Sequence, residues 1–211
     1  MRRNRAFAII ILALAAAIGL TAVIVDQLRP TPRGTAGVTT SESVSIGGDF
    51  TLTDHTGRRV TAADFHGQYL LIYFGYTFCP DVCPTELQDM ATVMDLLGDK
   101  AAKVTPVFIT IDPARDGVEQ MRDYVEAFHP RMVGLTGTEA EIAAAANAYR
   151  VYYAKAADPD SNGQKADDEY YLMDHSSFIY FMGPDGKNVA IFNGRAEVEA
   201  MAADIAKVLG D

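Results

Sequence analysis

Residues 70–84 read LLIYFGYTFCPDVCP. Five apolar or aromatic residues, Leu70 to Phe74, run into Gly75 and then into the chain's two cysteines, Cys79 and Cys83, each followed by a proline. This is the pattern of a buried strand that delivers two thiols to a stiff loop. Pro80 and Pro84 push the cysteines before them away from the α region, and Pro84 suits the first position of a following helix. The segment TELQDMATVMDLL sets Leu87, Met90, Met94 and Leu97 on one face at three- and four-residue spacing, which predicts that helix. The thiols then stand just ahead of a helix N-terminus, where free N–H groups and the dipole favour thiolate. Thiolates so placed can attack a disulfide or hold a soft metal ion. The C-x3-C spacing departs from the strict C-x-x-C redox motif and lies within the range of paired metal ligands. A structural disulfide is the bland alternative, but one pair closing a tiny loop adds little to a core of this size.

The chain has 211 residues, 49% hydrophobic and 22% charged, which suits one globular domain. Its start differs from the rest. MRRNR precedes AFAIIILALAAAIGLTAVIV, residues 6–25, an uncharged run long enough to cross a bilayer and without a clean small-residue cleavage site. An uncleaved anchor is expected over residues 1–27, with its arginines cytoplasmic and everything after Asp26 exported. Residues 28–48, rich in Thr, Ser, Gly and Pro, read as a flexible tether, and residues 49–211 as the folded domain. The first 33 residues carry a formal +4, leaving −14 on the remainder of a chain whose total is −10. A surface so acidic excludes nucleic acid and anionic lipid as partners and steers toward basic partners or cations, while also serving solubility. Outside the cytoplasm a thiol pair oxidises unless a reductant or a metal keeps it functional.

Within the domain, FTLTDHTGRRVTAADFHGQ predicts a short hairpin leading into the strand at Tyr69. VTPVFITID (104–112), GVEQMRDYVEAF (117–128) and RMVGLTG (131–137) continue as strand, helix, strand, so the middle of the chain reads βαβαβ and predicts a mostly parallel sheet with helices on its faces. Thr138 and Glu141 form a capping box for the next helix, followed by the strand VYYAKA. ADPDSNGQKADDE (157–169) is an acidic surface loop. YYLMDHSSFIYFM, the turn GPDGK and NVAIFNG read as an antiparallel hairpin, and AEVEAMAADIAKVLG as a closing amphipathic helix. Cys79 and Asp112 fall at the carboxyl ends of parallel strands, where α/β chemistry gathers.

Of the four histidines, His55, His66 and His129 lie in turn-like or helix-end settings that suit surface roles. His175, between YYLMD and SSFIYFM, is expected to enter the sheet near the cysteine loop, and from composition alone reads as a ligand in no more than about one case in three. Three motifs in order, FGYTFCPDVCP, ITIDPARD and DHSSFIYFMGPDG, resemble the Sco/SenC family of membrane-anchored copper proteins that help assemble cytochrome c oxidase. The resemblance runs from about Gly47 to the C-terminus. It implies a thioredoxin-like α/β fold with a central mixed sheet flanked by helices, and copper bound by Cys79, Cys83 and His175. Asp112 matches a supporting residue near that site, and Asp174 is a candidate to orient a ligand or a nearby arginine.

Two thiolates and an imidazole suit Cu(I), with Cu(II) left open, whereas structural zinc wants a fourth protein ligand. Met173 shares the strand face of His175 and reads either as core filling or as a weak thioether donor. The resemblance implies a single-pass inner-membrane metallochaperone with its soluble domain in the periplasm. It would deliver copper to a copper-accepting cytochrome c oxidase subunit and meet another periplasmic copper donor or thiol reductant. The alternative is an enzyme, a thiol–disulfide oxidoreductase with Cys79 as nucleophile and Cys83 as resolver.

Overall fold

The computed structural model of the chain describes residues 45–156, 171–194 and 196–210; the anchor, most of the tether and the acidic loop lie outside the described residues. In chain order the elements are strands β1 (Thr51–Asp54), β2 (Arg59–Thr61) and β3 (Tyr69–Gly75), helix α1 (Val82–Leu97), strand β4 (Val104–Thr110), helix α2 (Val118–Glu126) and strand β5 (Val133–Thr136). Helix α3 (Glu139–Ala148), strands β6 (Tyr153–Lys155), β7 (Met173–His175), β8 (Phe178–Met182) and β9 (Asn188–Asn193), and helix α4 (Val198–Leu209) complete it.

Seven strands form one mixed sheet in the order β2-β1-β5-β4-β3-β8-β9. Only β3, β4 and β5 are parallel, so the sheet is not mostly parallel as the βαβαβ alternation predicts: antiparallel strands from outside that alternation extend both sides. The near-continuous apolar runs of β3 and β4 follow from their place at the centre. Leu71, Ile72, Tyr73, Phe74, Val107, Phe108 and Ile109 are all wholly buried, which requires cover on both faces. Among the helices, α1 packs against α4, α2 against β5 and α3 against β1. The capping box appears as expected: Glu141 N–H donates to the Thr138 hydroxyl, and the Glu141 carboxylate accepts from Thr138 N–H. Among the described residues no helix is long and apolar enough to cross a membrane.

Two elements differ from the sequence reading, and both differences shape the site. α1 begins at Val82, not after Pro84, so Cys83 lies inside its first turn. A proline is tolerated there because first-turn N–H groups have no intrahelical partner to lose. The stretch around His175 is not one long strand. Ser176 and Ser177 interrupt it, and β7 pairs with β6 as a separate two-stranded sheet, Tyr153 opposite His175, while only β8 enters the main sheet beside β3. Apolar alternation alone cannot show that a strand changes partner halfway along.

Asp54, 2% exposed, closes the β1–β2 turn. Its carboxylate accepts N–H bonds from Thr56 and Arg58 at 2.9 Å each, the Thr56 hydroxyl at 2.6 Å and Arg58 Nε at 2.9 Å. Burial alone would raise its pKa; the donors outweigh burial and hold it at about 2, against 3.8 unperturbed. A lowered folded-state pKa contributes stability that is present above the unfolded value and is lost as pH falls toward the folded one. Asp54→Asn is therefore expected to cost about 2 kcal/mol in urea unfolding at pH 7, with the gap from the parent chain closing as pH drops from about 4 toward 2.

Candidate metal centre

The site is built at the carboxyl end of β3. Beyond the ladder, Ile111 N–H donates to the Gly75 carbonyl at 2.8 Å, so the exits of β3 and β4 stay side by side. Gly75 is there for space. A Cβ on it would stand 2.9 Å from Cys83 Sγ, 2.9 Å from the Phe108 ring and 3.0 Å from the Tyr73 ring. Cys83 fills that space and is wholly buried, whereas Cys79 is partly exposed, and neither is in a disulfide.

The Cys83 N–H, one of the unpaired donors of the helix start, points at Cys79 Sγ at 3.3 Å. The Cys83 thiol, set against burial, is the largest influence pulling the Cys79 pKa far below the ordinary range; His175 and the Cys83 and Asp81 amides add to it. For Cys83 the same contact acts the other way: donating to Cys79, together with burial, drives its pKa up. The pair is thus polarised into an accessible thiolate and a buried thiol.

His175 reaches this pair from β7. Its Nε2 lies 3.5 Å from Cys83 Sγ, and its Nδ1 lies 3.0 Å from the Ser176 carbonyl. A carbonyl only accepts, so Nδ1 carries a proton, and it is Nε2 that faces the sulfurs. A sulfur and an imidazole nitrogen sharing a soft metal stand about 3.6–3.8 Å apart at ordinary bond lengths, so the observed spacing is within a few tenths of an ångström. Tyr73 and Tyr76 present their rings edge to face with the imidazole, at 6.0 and 6.1 Å between centroids. Cys83 thus meets both Cys79 and His175, but as the side chains stand, no group of three or more His, Cys, Asp or Glu among the described residues is placed to hold a metal ion.

The remaining candidates separate. Asp112 is 4% exposed and accepts bonds from Arg115 Nε and, at 2.7 Å, from the Tyr171 hydroxyl. Asp174 is exposed, alternating along β7 with the half-buried Met173 and His175. Met173 packs against the core, and its N–H donates to the Tyr76 hydroxyl at 3.2 Å. Gly134 N–H donates to His55 Nδ1, and Arg131 N–H to His129 Nδ1, so both histidines serve local backbone.

Two buried carboxyls behind the site were not singled out in the sequence. Asp116, wholly buried, accepts the Thr77 N–H at 3.0 Å and the hydroxyls of Thr77 and Thr110 at 2.6 Å each, tying the cysteine loop to the end of β4. Burial raises its pKa against those bonds. The signal available was the second aspartate of ITIDPARD together with a threonine in each of the two segments it joins. Glu86, 3% exposed and one turn after Cys83, meets Ser177, and burial raises its pKa as well. A Cβ at Gly194 would fall 2.2 Å from its Oε1. The helical pattern does set Glu86 on the apolar arc of α1, four residues before Met90 and three after Cys83, a signal masked by its charge.

Comparison with known proteins gives one consistent answer. The family described as SCO1/SenC matches residues 38–210. The chain is 47% identical to the mitochondrial protein SCO1 homolog of Homo sapiens over 163 residues, 76% of this chain and 52% of that protein, so it spans about half the length of that relative. The crystal structure of Arabidopsis thaliana ScoI with copper bound is 40% identical, with TM-score 0.69, covering 77% of this chain and 97% of that one. The structure of Bradyrhizobium japonicum ScoI with copper bound is 42% identical, with TM-score 0.67, covering 77% of this chain and 99% of that one.

The space at Gly75 yields a direct test. Gly75→Ala is expected to displace the Cys83 sulfur and cost about 1–3 kcal/mol by overpacking. Urea unfolding, together with faster alkylation of Cys83 relative to the parent chain, would register it.

Proposed function

The chain belongs to the SCO1/SenC family, and from that premise we propose that it is a copper metallochaperone that holds copper through Cys79, Cys83 and His175 and delivers it to a copper-accepting subunit of cytochrome c oxidase during assembly. The observation that carries this reading is the meeting of His175 Nε2 with Cys83 Sγ at 3.5 Å, beside a second sulfur that accepts the Cys83 N–H. The donor set suits the cargo. Two sulfurs and one imidazole are soft to borderline donors for Cu(I), and the proton on Nδ1 fixes the ring with Nε2 toward the metal. With three protein donors the ion keeps room for an incoming ligand. A thiolate from the recipient binds first, the partly exposed Cys79 is released, and Cys83 and His175 follow. On this reading residues 6–25 anchor the chain in the inner membrane and the folded domain works in the periplasm.

A second activity is favoured by the polarised cysteine pair. The Cys79 thiolate would attack a disulfide in a recipient, forming a mixed disulfide and releasing one recipient thiolate. Cys83, giving up its proton, would then attack Cys79, leaving a Cys79–Cys83 disulfide and a reduced recipient ready for copper.

Anaerobic titration of the full chain in detergent with Cu(I), against a competing chelator, tests the main reading. The parent chain is expected to bind one copper, and His175→Ala to weaken binding by more than about 100-fold, beyond the usual effect of removing a residue outside the ligand shell, with its unfolding transition retained. An affinity unchanged by His175→Ala overturns the three-donor site. In that case trapping of mixed disulfides by Cys83→Ser becomes the expected result.

A further inference from the structure

His175 is carried by a hairpin that takes no part in the seven-stranded sheet. Between β7 and the first sheet residue of β8 stand only Ser176 and Ser177: the Ser177 carbonyl accepts the Gly194 N–H at 3.3 Å on the side of the main sheet, while Ser176 N–H donates to the Tyr152 carbonyl at 2.9 Å on the side of β6, so the change of sheet falls between the two serines. A ligand works only when held within about 0.5 Å of its productive position. What holds the hairpin against the body therefore decides whether an imidazole stands beside the sulfurs.

The fastening gathers on one side chain. Arg115, 14% exposed, leaves the loop after β4 and joins three segments at once. Its Nε donates to the Asp112 carboxylate, and its Nη1 donates to the Tyr171 carbonyl at 2.9 Å, just ahead of β7. Its guanidinium carbon sits 3.6 Å from the Tyr171 ring centroid and 4.8 Å from that of Phe78, the residue before Cys79. Tyr171 closes the triangle by donating its hydroxyl to Asp112, and Lys155 of β6 lies 3.9 Å from the same ring. Arg115 Nη2 is buried with no hydrogen-bond partner among the described residues, so the guanidinium is kept in this position even with one donor left unpaired. A lysine cannot donate along two directions and stack a planar face in the same place.

We propose that Arg115 is the positioning residue of the copper site: by clamping Tyr171 to Asp112 and stacking on Phe78, it holds the histidine hairpin against the cysteine loop, so that copper is bound by three donors instead of two. The proposal rests on the Cys79, Cys83 and His175 ligand set. Among the described residues Arg115 makes no hydrogen bond to Cys79, Cys83 or His175. It acts through Tyr171, four residues before His175, and Phe78, one residue before Cys79.

The test is a double-mutant cycle on the full chain in detergent, comparing the parent, Arg115→Ala, His175→Ala and the double variant. The readouts are Cu(I) affinity by chelator competition, sulfur and nitrogen donor numbers by X-ray absorption, and thermal unfolding. Arg115→Ala is expected to weaken Cu(I) about tenfold or more, with the nitrogen contribution reduced in the absorption spectrum, and the double variant to bind no more weakly than His175→Ala alone. Tyr171→Phe, which keeps the ring and loses the hydroxyl, should show a smaller loss of the same kind and covers the case in which Arg115→Ala does not fold. Equal affinity and donor numbers in folded Arg115→Ala, or losses that simply add in the double variant, overturn the clamp while the ligand set stands. If His175→Ala itself changes nothing, the ligand set falls and the clamp with it.

Discussion

At the end of β3 the Cys83 sulfur packs over a backbone carbon that bears no side chain, and the arrangement of the site follows from that approach. Gly75 lets α1 start close to the sheet, with Cys83 in its first turn. Only from there can the Cys83 N–H reach Cys79 Sγ, so that a helix-start donor without an intrahelical partner finds one in the second cysteine. The same seating buries Cys83 and leaves Cys79 partly exposed, which separates two chemically identical groups into thiol and thiolate.

The surrounding structure defends this approach in layers. β3 and β4, buried on both faces, make a rigid floor. Asp116 joins the cysteine loop to the end of β4 through three hydrogen bonds and accepts the Thr136 hydroxyl of β5 on its carbonyl at 2.7 Å. A buried carboxyl with this many donors is costly to disturb, because breaking any one bond leaves a polar group unpaired in a dry environment. Glu86 plays a comparable part on the other side, filling the space between Ser177 and Gly194 beneath the histidine.

The histidine is held differently from the cysteines. They sit where a central strand meets a helix, Cys83 wholly buried and Cys79 partly exposed; it sits on a two-stranded hairpin fastened by polar and aromatic contacts from Tyr76, Asp112 and Arg115. On the proposed ligand set, the two cysteines on the rigid floor would define where the metal goes, and the histidine on the separate hairpin how firmly it stays.

Much of this was legible in the residues. The run from Leu70 to Phe74, the alternation of strands and helices after it, and the Thr138–Glu141 cap depend on local pattern, and each appears in the fold as read. The cysteine pair stood out as the candidate centre of chemistry, since no other stretch joins thiols, prolines and a strand end. The rest depended on contacts between residues far apart in sequence. That α1 begins before Pro84 is decided by the Cys79 sulfur accepting a first-turn N–H. That β7 leaves the main sheet to pair with β6 is decided by which backbone edge is free at that end. Local propensity is blind to both, as it is to an arginine stacked between Tyr171 and Phe78. The residue types and their order along the chain determined the chemistry available. Only the tertiary structure decided which groups meet, because meeting requires the close approach that packing of the sheet, helix and hairpin alone provides.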